Sequence, residues 1–182
     1  MNTCYGIDKL LEDGNTRIYG VTEHELSENK VFKAFRSKDI ATVALKYQKK
    51  LAKYNLAPKV YTTLFHINNP AKKSGWGFIT EKAEDFYSDV GWPRDEAGWA
   101  VFDSCGGLRK LQKLVEDIAQ KTKLKFWDCH YGNIGYIIRD KKPVLVCIDT
   151  GKESFQNTNN AWGYADPGPK CSYCLRYACR CK

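Results

Sequence analysis

Between Lys9 and Phe35 the chain runs in three short segments, KLLEDG, TRIYGVTE and NKVFKAF, separated by Asp13-Gly14-Asn15 and Ser27-Glu28-Asn29. Strand-like runs bounded by turn-forming residues predict a three-stranded antiparallel meander. From Ser37-Lys38-Asp39 the period lengthens. Ile40, Val43, Leu45, Tyr47 and Leu51 recur at helical spacing, which predicts one amphipathic helix as far as Tyr54, ending before Pro58. KVYTTLFHI (59–67) and WGFITEKA (76–83) then read as two strands joined by the polar turn NNPAKKSG.

Phe86 to Cys105 is aromatic and glycine-rich without a period, and reads as loop and short helix. Gly106 to Lys121 is helical by pattern, with Leu108, Leu111, Leu114, Val115 and Ile118 on one stripe. NIGYII (133–138) and PVLVCID (143–149) predict a last strand pair across the charged turn RDKK, and the sequence after Gly151 is polar and irregular. No internal repeat is visible. This order of elements is α+β.

The 182 residues suffice for one domain with a real core and are too few for two of full size. No apolar run approaches the ~20 residues of a membrane span, and MNTCYGIDKLLEDG is not a signal peptide, so a cytoplasmic protein without membrane contact is expected. A net charge of +8 permits nucleic acid, phosphorylated ligands or acidic partners and selects none of them. The lysines of 46–59 and 110–125 alternate with Leu, Val and Ile at helical spacing, as solvated helix faces do.

Eight cysteines without a secretory signal read as thiols before disulfides. Cys4, Cys105, Cys129 and Cys147 are dispersed, as packing residues are. Cys171, Cys174, Cys179 and Cys181 crowd the tail at C-x2-C-x4-C-x-C, a spacing with which four thiolates can close one structural Zn²⁺. Arg176, Arg180 and Lys182 interleave there with Tyr173 and Tyr177, a mixture compatible with nucleic-acid contact.

The stretch FWDCHYGNIG, followed by IDTG, carries the most chemistry. Asp128 and Asn133 lie between a helix and a strand pair, where loop side chains converge. A hairpin turning at 139–142 returns Asp149, expected to terminate the second strand, toward Asn133. An amide oxygen and a carboxylate can then meet over one Mg²⁺, a cation that prefers hard oxygen ligands. Asp128 remains as a carboxylate able to orient and deprotonate an attacking hydroxyl. Taken singly, Asp128 also reads as a cap, His130 as a core histidine and Asn133 as a turn residue.

DCHYGN resembles the catalytic loop of the protein-kinase-like superfamily, in the form found in aminoglycoside phosphotransferases and atypical kinases, and IDTG resembles its metal-binding element. VFKAF is similar to the third strand of the kinase N-lobe. The resemblance implies that Lys33, or less readily Lys30, clamps the phosphates of ATP. The following helix matches the family's C-helix, with Gln48 at the position of the glutamate that holds the lysine. FITEKA is similar to the fifth strand and hinge, which implies Thr80 as gatekeeper and Glu81 to Ala83 as the backbone that meets adenine. Asn133 and Asp149 would hold Mg²⁺, Asp128 would act as base, and His130 would support the loop or approach the γ-phosphate.

The chain departs from the pattern at Gly14 and Gly20, which form no G-x-G-x-x-G, and at Gln48, which is neutral. The resemblance implies a protein-kinase-like fold, with a small antiparallel N-lobe sheet and one helix over about 1–83 and a reduced C-lobe over about 84–151, beyond which the residues themselves read as a linker at 152–170 and a cysteine-rich tail of zinc-ligand spacing at 171–182. It further implies an ATP- and Mg²⁺-dependent phosphotransferase acting on protein Ser/Thr hydroxyls, of a size that would suit a phage effector. The rival expectations are an inactive kinase-like protein-binding effector and a zinc-tailed nucleic-acid-binding module.

Overall fold

The structure, a computed structural model, describes residues 6–13, 17–22, 29–69, 72–86, 96–129 and 131–157. Strands β1 (Gly6–Asp13), β2 (Arg17–Thr22) and β3 (Lys30–Phe35) form the expected meander. Helix α1 (Lys38–Ala52) follows, and β4 (Phe65–Asn69) and β5 (Lys72–Glu81) complete a five-stranded antiparallel sheet of order β1-β2-β3-β5-β4. Helices α2 (Glu96–Ser104) and α3 (Gly107–Thr122) come next, then β6 (Leu124–Phe126), the hairpin of β7 (Ile134–Arg139) and β8 (Lys142–Cys147), and β9 (Phe155–Asn157), which pairs with β6. Small antiparallel sheets with three helices make a mixed α and β architecture.

Ser37 starts α1 by accepting a hydrogen bond from the Ile40 amide on its side-chain oxygen at 3.3 Å, an N-cap that satisfies one orphan donor. The buried face of α1 is Ala41, Ala44, Gln48 and Leu51, one stripe at i, i+3, i+7 and i+10. Ile40, expected on that stripe, is exposed. The helix is rotated from the expected phase because β3 and β5 accept it closely through alanines, with Phe35 and Phe78 packed on Ala41 and Ala44. Helix α3 buries Leu111, Leu114 and Ile118 as expected, while Leu108, in its first turn, is exposed.

Three boundaries differ from the sequence pattern. The strand expected over 59–67 begins only at Phe65, because the Ile79 amide donates to the Thr62 side chain at 2.9 Å and not to a main-chain carbonyl, which interrupts the ladder. Before it, Val60 forms a lone bridge with Thr80. Strand β5 starts at Lys72, inside the segment expected to turn. The last hairpin strand ends at Cys147, so Asp149 lies two residues beyond it. The amides of Ile148 and Asp149 leave the ladder to share the Asn133 carbonyl, at 3.0 and 3.4 Å.

The chain also stays packed past Gly151. A 3-10 turn (Lys152–Ser154) leads into β9, whose Phe155 is buried, stacks on Phe126 at 5.2 Å and meets Tyr47 edge-on. Ser154 and Phe155 are therefore part of the core, while Lys152 and Glu153 are exposed. The largest core cluster among the described residues joins Leu51 and Leu56 to Phe102, Leu114, Phe126 and Ile134, so α1, α2, α3 and the strands that follow share one interior.

Residue 84 ties the end of the β5 segment to β7. Glu84 and Tyr136 exchange backbone hydrogen bonds of 2.8 and 2.9 Å, and a Cβ on Gly135 would lie 2.6 Å from the Glu84 carbonyl oxygen. Gly135→Ala is expected to push this contact apart at a cost of about 1–3 kcal/mol, as overpacking does. A thermal midpoint equal to wild type would show that the close approach is not needed.

Candidate active site

Lys30 and Lys33 are three residues apart on β3 and so face opposite sides of the sheet. Lys30 Nζ lies over the Tyr61 ring, 4.8 Å from its centre, whereas Lys33 turns toward α1. Lys33 Nζ donates to the Ile148 carbonyl at 2.6 Å and to Gln48 Oε1 at 3.4 Å, and only 8% of the residue is exposed. Of the two lysines, Lys33 is the one brought to the IDTG segment, across 115 residues of sequence.

Gln48, fully buried, uses all four of its hydrogen-bonding positions. Oε1 accepts from Lys33 and from Thr150 Oγ1 at 3.2 Å. Nε2 donates to the Pro58 carbonyl at 3.2 Å and to Thr80 Oγ1. A carbonyl can only accept, so the Pro58 contact fixes which end of the amide faces which way. Gln48 thus backs Lys33 and at the same time joins α1 to Thr80 on β5 and to Thr150 of IDTG.

The loop after β6 holds the proposed base. Trp127 anchors it, with Nε1 donating to the Glu153 carbonyl at 2.6 Å. Asn133 closes it, with Nδ2 donating to the Asp128 carbonyl at 2.8 Å and to Asp128 Oδ2 at 3.1 Å. The Asp128 carboxylate, expected to stand apart, is therefore oriented by Asn133. Asn133 Oδ1 accepts no hydrogen bond among the described residues, and the main-chain carbonyl of the same residue receives the Ile148 and Asp149 amides. Asp149 Oδ1 accepts from the Gly151 amide at 2.9 Å and Oδ2 from Ser154 Oγ at 2.6 Å.

These donors fit a hard divalent cation. An amide oxygen with no partner among the described residues, and a half-buried carboxylate whose own backbone amide is bonded to the same asparagine, are oxygen donors of the kind that hold Mg²⁺ together with waters and phosphate. Cys147, at the end of β8, is fully buried. Burial, reinforced by the Asp149 charge, pushes its thiol well above the usual range, and its Sγ donates to the Asp149 carbonyl at 3.0 Å. Cys105 and Cys129 are also buried, as packing residues are. Among the described residues no three His, Cys, Asp or Glu side chains gather as a metal site. His130 and the four tail cysteines, Cys171, Cys174, Cys179 and Cys181, lie outside the described residues.

At the expected hinge, Thr80 is buried, with Oγ1 donating to the Lys59 carbonyl at 2.7 Å. The Glu81 amide is occupied by the Lys59 carbonyl at 2.8 Å, and that of Lys82 by the Asn29 carbonyl at 2.8 Å. The Ala83 amide and carbonyl make no hydrogen bond among the described residues, so Ala83 is the backbone edge available to a planar ligand. The Glu81 side chain instead receives a two-pronged bond from Arg139 and a third from the Lys59 amide.

Burial raises the Glu81 carboxyl, but the Arg139 bond, the Lys59 amide and the Arg139 charge outweigh it and hold the group below the usual range. A carboxyl lowered on folding stabilises the fold above its unfolded pKa, and that contribution fades as pH falls through the folded one. Stability is expected to drop as pH falls below about 4.3. Glu81→Gln should be less stable at neutral pH and flatter in acid. Parallel acid profiles of thermal midpoint for the two proteins would rule this out.

Sequence reasoning passed over Trp127, Arg139, Thr150 and Ser154. Of these only Thr150, inside IDTG, carried a signal in its position; the others are placed by tertiary contacts of the β7–β8 hairpin and the turn after Gly151.

No family model matches the chain, and no curated protein matches it either. Among solved structures it is similar to the Cydia pomonella granulovirus kinase PK-1, at 15% identity and a TM-score of 0.53, over 81% of this chain and 54% of that one. The chain thus spans about half the length of that structure. The likeness is one of fold: the described residues have a distantly kinase-like architecture.

Proposed function

We propose that the protein is an ATP- and Mg²⁺-dependent phosphotransferase, acting on protein Ser/Thr hydroxyls. The observation that carries this reading is the convergence of Lys33, Asp128, Asn133 and Asp149. Lys33 is bonded to the Ile148 carbonyl, and Asn133 to the Ile148 and Asp149 amides and to Asp128. The distant likeness to a kinase structure supports it at the level of fold.

In this reading Ala83 offers its amide and carbonyl to adenine, and Lys33 meets phosphate oxygens with a charge held in place by Gln48. Asn133 Oδ1 and Asp149 would hold Mg²⁺, which would supply positive charge against the phosphates. Asp128, with Oδ2 fixed by Asn133, orients the acceptor hydroxyl and takes its proton as the new oxygen–phosphorus bond forms and the bond from the γ-phosphorus to the β,γ-bridging oxygen breaks, that oxygen leaving on ADP. His130 would support this loop, and the tail cysteines would hold a structural Zn²⁺.

The test is transfer of label from γ-labelled ATP with Mg²⁺ to lysate proteins and to the protein itself, with phosphoamino-acid analysis of the product. Label on serine or threonine is expected. Nucleotide affinity without transfer to any acceptor would replace this reading with a binding role.

A further inference from the structure

We propose that Ser154 is the positioning residue for the metal-binding carboxylate of Asp149, an inference that rests on the phosphotransferase reading. Asp149 lies beyond the end of β8, in a segment with no ladder to fix its side chain. Two donors fix it instead. The Gly151 amide takes Oδ1 at 2.9 Å and the Ser154 hydroxyl takes Oδ2 at 2.6 Å. Bonds to an ionised acceptor are short and strong, and each oxygen keeps a second lone pair for a cation.

Ser154 is itself held from every side. It is fully buried, and its amide donates to the Gly151 carbonyl at 3.2 Å within the 3-10 turn. The next residue, Phe155, stacks on Phe126 under the catalytic loop, and the preceding carbonyl, of Glu153, receives the Trp127 indole N–H. The same turn therefore grips the loop that carries Asp128 and the carboxylate of Asp149. A metal ligand whose orientation is set by packed neighbours binds without first losing rotamer freedom. Removing such a supporting bond typically weakens metal affinity by ~10–100-fold. Gly151 has φ −60° and ψ 157°, an ordinary extended backbone, so the fixed geometry comes from these side-chain and turn contacts and not from a left-handed glycine.

The test is binding of Mn²⁺, followed by its electron paramagnetic resonance signal, to the full chain with a non-hydrolysable ATP analogue, beside analogue affinity measured without metal. Ser154→Ala is expected to raise the Mn²⁺ dissociation constant ~10–100-fold while metal-free analogue affinity stays within about threefold, a pattern that general loosening of the fold does not give. Ser154→Cys, which keeps a small side chain and substitutes a weak donor, is expected to fall between the two, and it carries the test if the alanine variant does not fold. Unchanged Mn²⁺ affinity in the folded variants would overturn the role of Ser154. Absence of analogue-dependent Mn²⁺ binding by the wild type would instead overturn the phosphotransferase reading on which it rests.

Discussion

Asp128→Asn is expected to lower phosphoryl transfer by ~10²–10⁴-fold, the range general-base removal produces, with nucleotide affinity and thermal midpoint nearly unchanged. The substitution is chosen from the geometry. Asn133 Nδ2 donates to the Asp128 main-chain carbonyl and to Oδ2. An asparagine in the same place keeps an oxygen for that second bond, so the loop is held as before, and only the capacity to accept a proton is lost. Each tenfold in rate is ~1.4 kcal/mol of barrier, so the full effect corresponds to ~3–5 kcal/mol withheld from the transition state alone. Transfer within tenfold of wild type would move the base role away from Asp128. A loss matched by collapse of nucleotide binding would mean that the residue shapes the site and does not act in the chemistry.

Much of this arrangement was legible because local signals and tertiary needs agree. The β1 to β3 meander carries turn residues where it turns, and α3 carries a leucine stripe where it is buried. The site residues lie in a short loop and just past a strand end, so their order along the chain already restricts where they meet. What escaped lacks a periodic signature. The β6–β9 pair has three residues per strand, too few for any pattern, and is held by the Phe126–Phe155 stack. The turn holding Ser154 reads as polar linker because Lys152 and Glu153 face solvent while the small serine goes inside. Strand β4 was misplaced because a single threonine hydroxyl replaces a main-chain acceptor.

Helix α1 shows the same limit at the centre of the site. Alanine and glutamine give a weak apolar signal, so the stripe drawn through Ile40 and Val43 took the wrong phase, and Gln48 read as a defective glutamate, able to hydrogen-bond Lys33 but not to neutralise it. The structure gives it a different task. A glutamate at this position keeps an acceptor for Lys33 and Thr150 but loses both donors, and its second oxygen would face the Pro58 carbonyl, now 3.2 Å from Nε2, and a Thr80 hydroxyl whose proton goes to Lys59.

Gln48→Glu is therefore expected to destabilise the protein by ~1–3 kcal/mol instead of restoring a kinase-like ion pair, since the cost of an unsatisfied buried group exceeds the gain from a better acceptor. Gln48→Leu, which strands the Pro58 carbonyl and the Thr150 hydroxyl together, should cost ~2–5 kcal/mol. In a protein of this size ~1 kcal/mol moves the thermal midpoint by ~2–4 °C, so both variants are readable by melting. A Gln48→Glu protein more stable than wild type would mean that the charge on Lys33 dominates the hub. The expected order, wild type above glutamate above leucine, would mean that a four-way amide, and not a charged pair, holds α1, β5 and the Thr150 segment in one register.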